Sequence, residues 1–224
     1  MLTLEDIHSE VLLHLAHHPD GDSLEVPTAA LIAFAVRASV TTLDMASSEA
    51  FIDEAIRAGA TCDQLHEALV LVSGLGVHSL MEGSVRLARL AKESRPEAPA
   101  IELSEEQRRL WQAYVGDNPY WQEVEKQTPG FLQGLLQMSP SAFEAFFTFC
   151  AVPWKSKHLT SLTKELISIA VDASTTHRYM PGLRLHLANA LKLGAGRKAI
   201  LETLAIAAHA PEHSGVRQAI YTGP

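Results

Sequence analysis

A gapless internal repeat is the feature that most limits how this chain can fold. Shifting the sequence by 135 residues aligns Leu31–Ser79 with Leu166–Ser214 and gives 15 identities over 49 positions. The identities include a Gly-Ala pair, a Glu and a His-Ser pair, which a shared Ala/Leu-rich composition would not place in one register. We therefore infer a duplication. Each copy is predicted to hold a buried helix, a second helix ending at Gly-Ala and a third ending at His-Ser.

Helical signals run through the chain, and signals for strands do not accompany them. Thr61 with Gln64, and Ser104 with Gln107, have the spacing of capping boxes, which mark the first turn of a helix. Ala29–Thr42 is apolar nearly all round, as expected of a helix buried on every side. No alternating run of β-branched residues with hairpin turns occurs in the sequence. The sequence therefore predicts an all-α fold.

The clearest shift in composition lies at Glu93–Leu103, which has two prolines and no helical period. We predict a first, degenerate repeat at residues 1–93, a linker at 94–103 and a second repeat at 104–224. The second repeat is predicted to carry the functional site.

Composition and charge exclude several classes of protein. Eighteen Lys and Arg against 26 Asp and Glu give a formal charge of −8, which disfavours a nucleic-acid partner. Cys62 and Cys150 are too few for a disulfide scaffold. The N-terminus has acidic residues where a signal peptide needs basic ones, and no apolar run approaches the roughly 18 residues of a membrane span. We expect a soluble, cytoplasmic protein that binds neither nucleic acid nor membrane.

The two copies differ in their titratable residues. The second copy has polar side chains at four positions where the first has small, apolar or unrelated residues: Glu165, His177, Tyr179 and His186 align with Ala30, Thr42, Asp44 and Phe51. A duplicated scaffold with one working site predicts this pattern.

A short motif in the second copy suggests a family. Lys164-Glu165-Leu166-Ile167 is followed, after an irregular segment, by His186, eight residues before Gly194-Ala195. This pattern resembles the carboxymuconolactone decarboxylase / alkylhydroperoxidase D superfamily. Three further segments are similar to its two-repeat, decarboxylase-related members: Pro153-Trp154, Val171-Asp172-Ala173 and the PGLRLH segment that ends at His186. The resemblance implies a duplicated alkylhydroperoxidase D-like helical repeat, with six repeat units around a ring, and hence a homotrimer of two-repeat chains.

The chain departs from the peroxidase branch of that superfamily. Members of that branch have a CxxC between the Glu and the His, whereas no cysteine lies between Glu165 and His186 in this sequence. Peroxide reduction needs a nucleophilic thiol and a second thiol to resolve it. Thiol peroxidase activity is therefore excluded at this motif.

Glu165 and His186 form the predicted acid–base pair. Glu165 could either complement a helix N-terminus or orient and protonate a histidine. His186 follows Pro181-Gly182, which predicts a position in the first turn or so of a new helix. A helix N-terminus there would lower the pKa of the imidazole and favour a neutral base.

The irregular segment supplies further candidates. His177 and Tyr179 are predicted catalytic residues, and Arg178 could hold a substrate carboxylate through two parallel hydrogen bonds. His213 recurs as His78, which favours a buried structural hydrogen bond common to both copies, and it is also a candidate substrate contact.

A metal site is the weaker alternative for this chemistry. Zinc needs three or four convergent ligands, and no HxxxH or HxH spacing occurs near His186. We predict no metal and no cofactor.

These observations predict cofactor-independent acid–base chemistry, of decarboxylase or lyase type, on a small carboxylate or lactone. Two alternatives stay open. One is an alkylhydroperoxidase-like oxidoreductase accessory without its own CxxC, and the other is a non-catalytic binding or scaffold protein of the same fold.

Overall fold

A computed structural model describes residues 1–94 and 102–216 as a series of α-helices. The helices are α1 (Leu4–His14), α2 (Val26–Ala38), α3 (Met45–Arg57), α4 (Cys62–Ser73), α5 (Val77–Ser94), α6 (Glu105–Tyr114), α7 (Pro119–Gln127), α8 (Phe131–Met138), α9 (Pro140–Cys150), α10 (Val152–Lys155), α11 (Ser161–Ala173), α12 (Met180–Lys192) and α13 (Arg197–Ala208). A 3-10 turn, Gly74–Gly76, separates α4 from α5. The described residues contain no strand, which confirms the predicted all-α class.

The chain forms two compact units. The first combines Met1–Leu75 with the chain from Ser156 onward, and the second is Gly76–Lys155. The predicted division at residues 94–103 follows the repeat rather than these units, and it stays a prediction. Helix α5 extends through Ser94, and residues 95–101 of the predicted linker lie outside the described residues.

The first unit contains the repeat, and its helix bounds recur at the same offset of 135 residues. Helices α2, α3 and α4 begin and end at the positions that match α11, α12 and α13. Gly59 and Gly194 both adopt left-handed backbone, with φ of 99° and 95°, and the next N–H of each copy bonds back to the helix at 2.9 Å. This is the C-terminal stop that glycine favours, and it explains the repeated Gly-Ala.

The third helix of each copy is shorter than predicted. Helix α4 ends at Ser73 and α13 at Ala208, well before His78 and His213. The predicted ends at His-Ser are therefore wrong. In the first copy a 3-10 turn intervenes, and His78 lies at the start of α5.

The repeated Glu links each copy to the other. Glu67 Oε2 accepts the backbone N–H of His158 at 2.9 Å and of Leu159 at 3.0 Å, just before α11. Glu202 Oε2 accepts the N–H of Leu24 at 2.6 Å, just before α2. Leu24 and Leu159 are equivalent positions in the two copies. The third helix of one copy therefore anchors the loop that leads into the first helix of the other.

A buried ion pair reinforces one of these anchors. Lys164 Nζ lies 2.7 Å from Glu67 Oε1, and both side chains are only 3% exposed. Lys164 Nζ also donates to the carbonyl of Ser156 at 2.8 Å. Burial acts to raise the pKa of Glu67, but hydrogen bonds from Lys164 and Ser156 outweigh it and lower that pKa. These contacts of Lys164 hold the first turns of α11 in place, and with them the adjacent Glu165.

The core of the first unit is centred on α11 and α2. Every residue of α11 from Thr163 to Ala173 is buried, and α2 buries Ala30–Ile32 and Phe34–Val36. Helix α2 is thus apolar all round as predicted, but it ends at Ala38 because Ser39 turns to extended backbone. Polar residues within α11 are consequently held in a mostly apolar environment.

The second unit has an aromatic core of its own. Phe147 packs against Trp121 with ring centroids 4.6 Å apart and against Phe143 at 4.8 Å. The Glu125 carboxylate accepts the N–H groups of Gly130 at 2.7 Å and Leu132 at 3.0 Å, which caps α8.

One helical stretch of the described residues, Cys62–Ser94, is long and apolar enough to cross a membrane by length and composition. The predicted absence of any such stretch is therefore corrected. The match is weak evidence for a span, because core helices pass the same test. Part of this stretch is α4, which packs against α2 and α11 and contributes the buried ion-paired Glu67.

Candidate acid–base site

Glu165 and His186 form a close, shielded pair. Glu165 Oε2 lies 2.6 Å from His186 Nδ1, and the two side chains are 5% and 13% exposed. Glu165 is the fifth residue of α11, beyond its first turn, and Thr160 caps that helix instead. Of the two roles considered for Glu165, contact with a histidine is therefore the one observed.

His186 is the seventh residue of α12 and lies in its second turn rather than its first. Burial acts to lower the pKa of His186, but the hydrogen bond to Glu165 and the charges of Glu165 and Asp172 outweigh it and raise that pKa. The prediction of a neutral imidazole tuned by a helix N-terminus is wrong. The site favours the imidazolium form, which can donate a proton.

Asp172, which was not among the predicted site residues, lies in the same cluster. Its side chain is 1% exposed. Burial raises the pKa of Asp172 to about 7, although the charge of His186 acts to lower it. The sequence carried a signal for this residue, because Asp172 is a lone acid in the apolar run from Ile169 to Ala173. A charged residue in a helix buried on every side needs a local partner.

His177 contacts Asp172 from the turn between α11 and α12. His177 Nε2 lies 3.5 Å from Asp172 Oδ1, and its side chain is 13% exposed. Burial lowers the pKa of His177. The His177 and Tyr179 rings lie 5.8 Å apart, and the Tyr179 N–H donates to the Asp172 carbonyl at 2.8 Å. The structure thus brings the two predicted turn residues, His177 and Tyr179, to Asp172.

The turn between α11 and α12 has an unusual backbone that the first copy shares. Arg178 has φ of 50° and its counterpart Leu43 has φ of 46°, in the left-handed region that side chains disfavour. The hydrogen bond of Tyr179 to Asp172 recurs as Asp44 N–H to the carbonyl of Arg37 at 2.9 Å. The turn is therefore a property of the repeat, and the second copy places its polar side chains on it.

Arg178 is directed in part to the N-terminal segment. Its Nη1 donates to the carbonyl of Leu2 at 2.8 Å. A guanidinium has five N–H donors, so this bond uses one of them and leaves the predicted role in substrate binding as a proposal.

Gly182 allows Asp172 to approach the first turn of α12. A Cβ at position 182 would overlap Asp172 Oδ2 and lie 2.9 Å from Tyr179 Cδ1. Glycine is therefore needed here for space rather than for backbone conformation. The counterpart in the first copy is Ser47, whose hydroxyl donates to Asp44.

His213 does not have the surroundings predicted for it. Its side chain is exposed, and it lies beyond the end of α13. The expectation that it makes a buried hydrogen bond is wrong. The adjacent Ser214 makes the local contact instead, through its N–H to the carbonyl of Thr42 at 2.9 Å.

The first copy replaces the acid–base cluster by a non-titrating contact. Arg37 lies over the ring of Phe51, 3.7 Å from its centroid. These two residues align with Asp172 and His186, and Ala30 aligns with Glu165. The two copies therefore share the positions of the side chains but not their chemistry.

Neither cysteine has the properties of a reactive thiol at this cluster. Burial raises the pKa of Cys150 to about 11, so a thiolate is not available at neutral pH. Cys62 is exposed at the start of α4.

Comparison with known proteins identifies the family of this fold. The profile of the Carboxymuconolactone decarboxylase family matches residues 140–220. The crystal structure of a candidate gamma-carboxymuconolactone decarboxylase subunit from Burkholderia xenovorans LB400 is 32% identical, with a TM-score of 0.69, over 90% of this chain and 77% of that one. The chain belongs to the carboxymuconolactone decarboxylase family. A comparison with curated proteins found no match.

Family membership confirms the resemblance inferred from the second copy. The matched segment, residues 140–220, includes Glu165, Asp172, His177 and His186 and excludes the first copy. This agrees with a first copy that keeps the helices but lacks the motif. Membership does not fix the reaction, since one fold supports many activities.

Proposed function

We propose that this protein catalyses a cofactor-independent decarboxylation, or a related lyase reaction, on a small carboxylate or lactone. The observation that carries the proposal is the 2.6 Å contact of Glu165 with His186, two shielded groups in a family named for decarboxylases. An ionised carboxylate that holds an imidazolium in a mostly apolar environment is an arrangement suited to proton delivery.

The proposed chemistry begins with loss of carbon dioxide. The bond between the substrate carbon and its carboxylate breaks, and the electron pair moves toward an adjacent carbonyl or lactone oxygen. His186 then delivers the proton on Nε2 to that carbon, while Nδ1 stays bonded to Glu165. The proton of His186 is later replaced by one that comes from solvent. Glu165 stays hydrogen-bonded to Nδ1 and stabilises the imidazolium between turnovers.

The turn residues are proposed to act on the developing negative charge. His177 and Tyr179 are proposed donors for an oxyanion, because both lie on the turn before α12 with their rings 5.8 Å apart, beside the site of Asp172. Arg178 is proposed to bind a substrate carboxylate with the donors that Leu2 does not occupy. His213 is retained as a weaker candidate for substrate binding, since an exposed side chain can reach only a substituent at the edge of a site.

The proposed assembly is a symmetric homo-oligomer. The similar protein from Burkholderia xenovorans is described as a subunit, which supports self-association. A trimer of two-repeat chains, in the cytoplasm, is the form that we propose.

Turnover of gamma-carboxymuconolactone tests the function directly. Purified protein should release carbon dioxide from this lactone, and His186→Phe should abolish the release without unfolding the protein. Phenylalanine already occupies the equivalent position of the first copy as Phe51, so a side chain of this size suits the packing of the repeat. His17→Ala is the matched histidine control, because His17 is exposed between α1 and α2, and this variant should retain the activity. A wild type that binds the lactone without releasing carbon dioxide would favour a binding protein.

A further inference from the structure

We propose that Asp172 is a positioning residue that links His186 and His177 into one proton-sharing network. The role of this network rests on the proposed function, because the network would return a proton to His186 each time His186 has protonated a substrate. The contacts themselves can be tested without any substrate.

The register of the two helices places Asp172 beside His186. Asp172 Oδ2 lies against Gly182, close enough that a Cβ there would overlap it. Gly182 and His186 are four residues apart in α12, so they lie one above the other on one face of that helix. Glu165 and Asp172 are seven residues apart in α11 and share a face in the same way. His186 is thus bracketed by two carboxyl groups from α11.

The second contact of Asp172 connects it to the turn. Asp172 Oδ1 lies 3.5 Å from His177 Nε2, so one carboxyl group has one oxygen near α12 and the other near His177. A carboxyl group can accept a proton on one oxygen and donate it from the other. Asp172 therefore lies where it can connect the two imidazoles.

The first copy supports a functional reason for this arrangement. Three positions change together between the copies: Asp172, Gly182 and His186 are replaced by Arg37, Ser47 and Phe51. Arg37 still contacts Phe51, at 3.7 Å from the ring centroid. The repeat therefore brings these two positions together in either copy, and a buried acid with a matching glycine occurs only beside the histidine.

The proton balance of the network is simple. When His186 gives its proton to a carbanion, protonated Asp172 donates its own proton to His186 and becomes a carboxylate. His177, which is partly exposed, passes a proton to Asp172 and takes one from water. One proton leaves to product and one enters from solvent, so no other reactant is needed.

Nuclear magnetic resonance of protein labelled with 15N in its histidines tests the network. At one neutral pH and without substrate, Asp172→Asn should shift the ring nitrogen signals of both His186 and His177. Arg37→Gln alters the equivalent position of the first copy and should shift neither, which controls for a general change in packing. Signals of His177 that stay unchanged in folded Asp172→Asn would overturn the proposal.

A second variant covers the case in which Asp172→Asn does not fold. His186→Phe introduces the side chain that the first copy already carries, and it should shift the His177 signals through Asp172. Unchanged His177 signals in that variant would also refute the link.

Activity on gamma-carboxymuconolactone then separates the two proposals. In Asp172→Asn we expect kcat to fall by up to about 100-fold, the lower range for general acid–base catalysis, with KM nearly unchanged. If the wild type does not release carbon dioxide, the proposed function fails while the resonance data still decide the network. If Asp172→Asn shifts both histidines but keeps the wild-type kcat, the network exists and its role in proton return is wrong.

Discussion

Replacing Asp172 by Asn should change how the stability of the protein depends on pH. Asp172 is 1% exposed, and burial raises its pKa from 3.8 to about 7. A shift of about 3 units corresponds to about 4 kcal/mol, at about 1.36 kcal/mol per unit. The folded protein therefore holds a proton on Asp172 at pH values where the unfolded chain has lost it.

Because of this difference in proton binding, the free energy of unfolding should fall as the pH rises. Below pH 4 the carboxyl is protonated in both states, and the favourable contribution is fully present. As the pH rises from 4 to 7, ionisation of this carboxyl stabilises the unfolded chain but not the folded protein. The free energy of unfolding therefore falls by about 1.4 kcal/mol per pH unit. Above the folded pKa the loss levels off at about 4 kcal/mol. Asparagine has the shape of the protonated acid but does not titrate, so this decline should be absent from Asp172→Asn.

Urea denaturation of wild type and Asp172→Asn between pH 4 and 8 measures the effect. The two free energies of unfolding should be similar near pH 4, and the variant should become the more stable by several kcal/mol at pH 8. His186 has a raised pKa and also loses stabilisation as the pH increases. The share of this contribution that comes from Glu165 is present in both proteins, and only the smaller share from the Asp172 charge is lost in the variant. Parallel pH profiles for the two proteins would refute the reasoning, because they would mean that Asp172 ionises normally in the fold.

Three further changes test other parts of the structure. Lys164→Ala should destabilise the protein by about 3–5 kcal/mol in urea denaturation, because it leaves Glu67 charged and buried; a loss below 1 kcal/mol would contradict the buried pair. His213→Ala should change stability by less than about 0.5 kcal/mol, because the side chain is exposed; a large drop in thermal midpoint would show a buried role. Alkylation of Cys62 should leave carbon dioxide release intact, because the proposed reaction uses no thiol; loss of turnover with the fold preserved would refute this.

The sequence was informative where a residue's role depends on local pattern. The capping boxes at Thr61 and Ser104 are both formed, and the Gly-Ala pairs end their helices as predicted. Glu165 and His186 could be chosen because the repeat shows Ala30 and Phe51 in their places. These features depend on spacing along one helix or on comparison of two copies, and both can be read without coordinates.

The errors arose where tertiary contacts decide the outcome. The pKa of His186 was expected to fall because of a helix end, but two carboxylates brought in by α11 reverse the direction. Asp172 stands out in the sequence only as a lone acid in an apolar run, and its role depends on the side chains that face it across two helices. His213 was expected to be buried because it recurs, yet the copies continue differently, with α5 after the first and an exposed segment after the second. A repeated residue need not have repeated surroundings.

Glu67 and Glu202 each anchor a loop of the other copy, and this arrangement has a consequence for synthesis of the chain. Helix α4 leaves the ribosome with Glu67, but Ser156, His158 and Leu159, which bind that carboxylate, follow only after Gly76–Lys155 has been made. At about 5–20 residues per second, the first copy waits several seconds for its partners. During that interval the apolar face of α2 that later packs on α11 has no native cover. The nascent first copy therefore exposes this apolar face until α11 has been made, and the length of the intervening unit sets how long that exposure lasts.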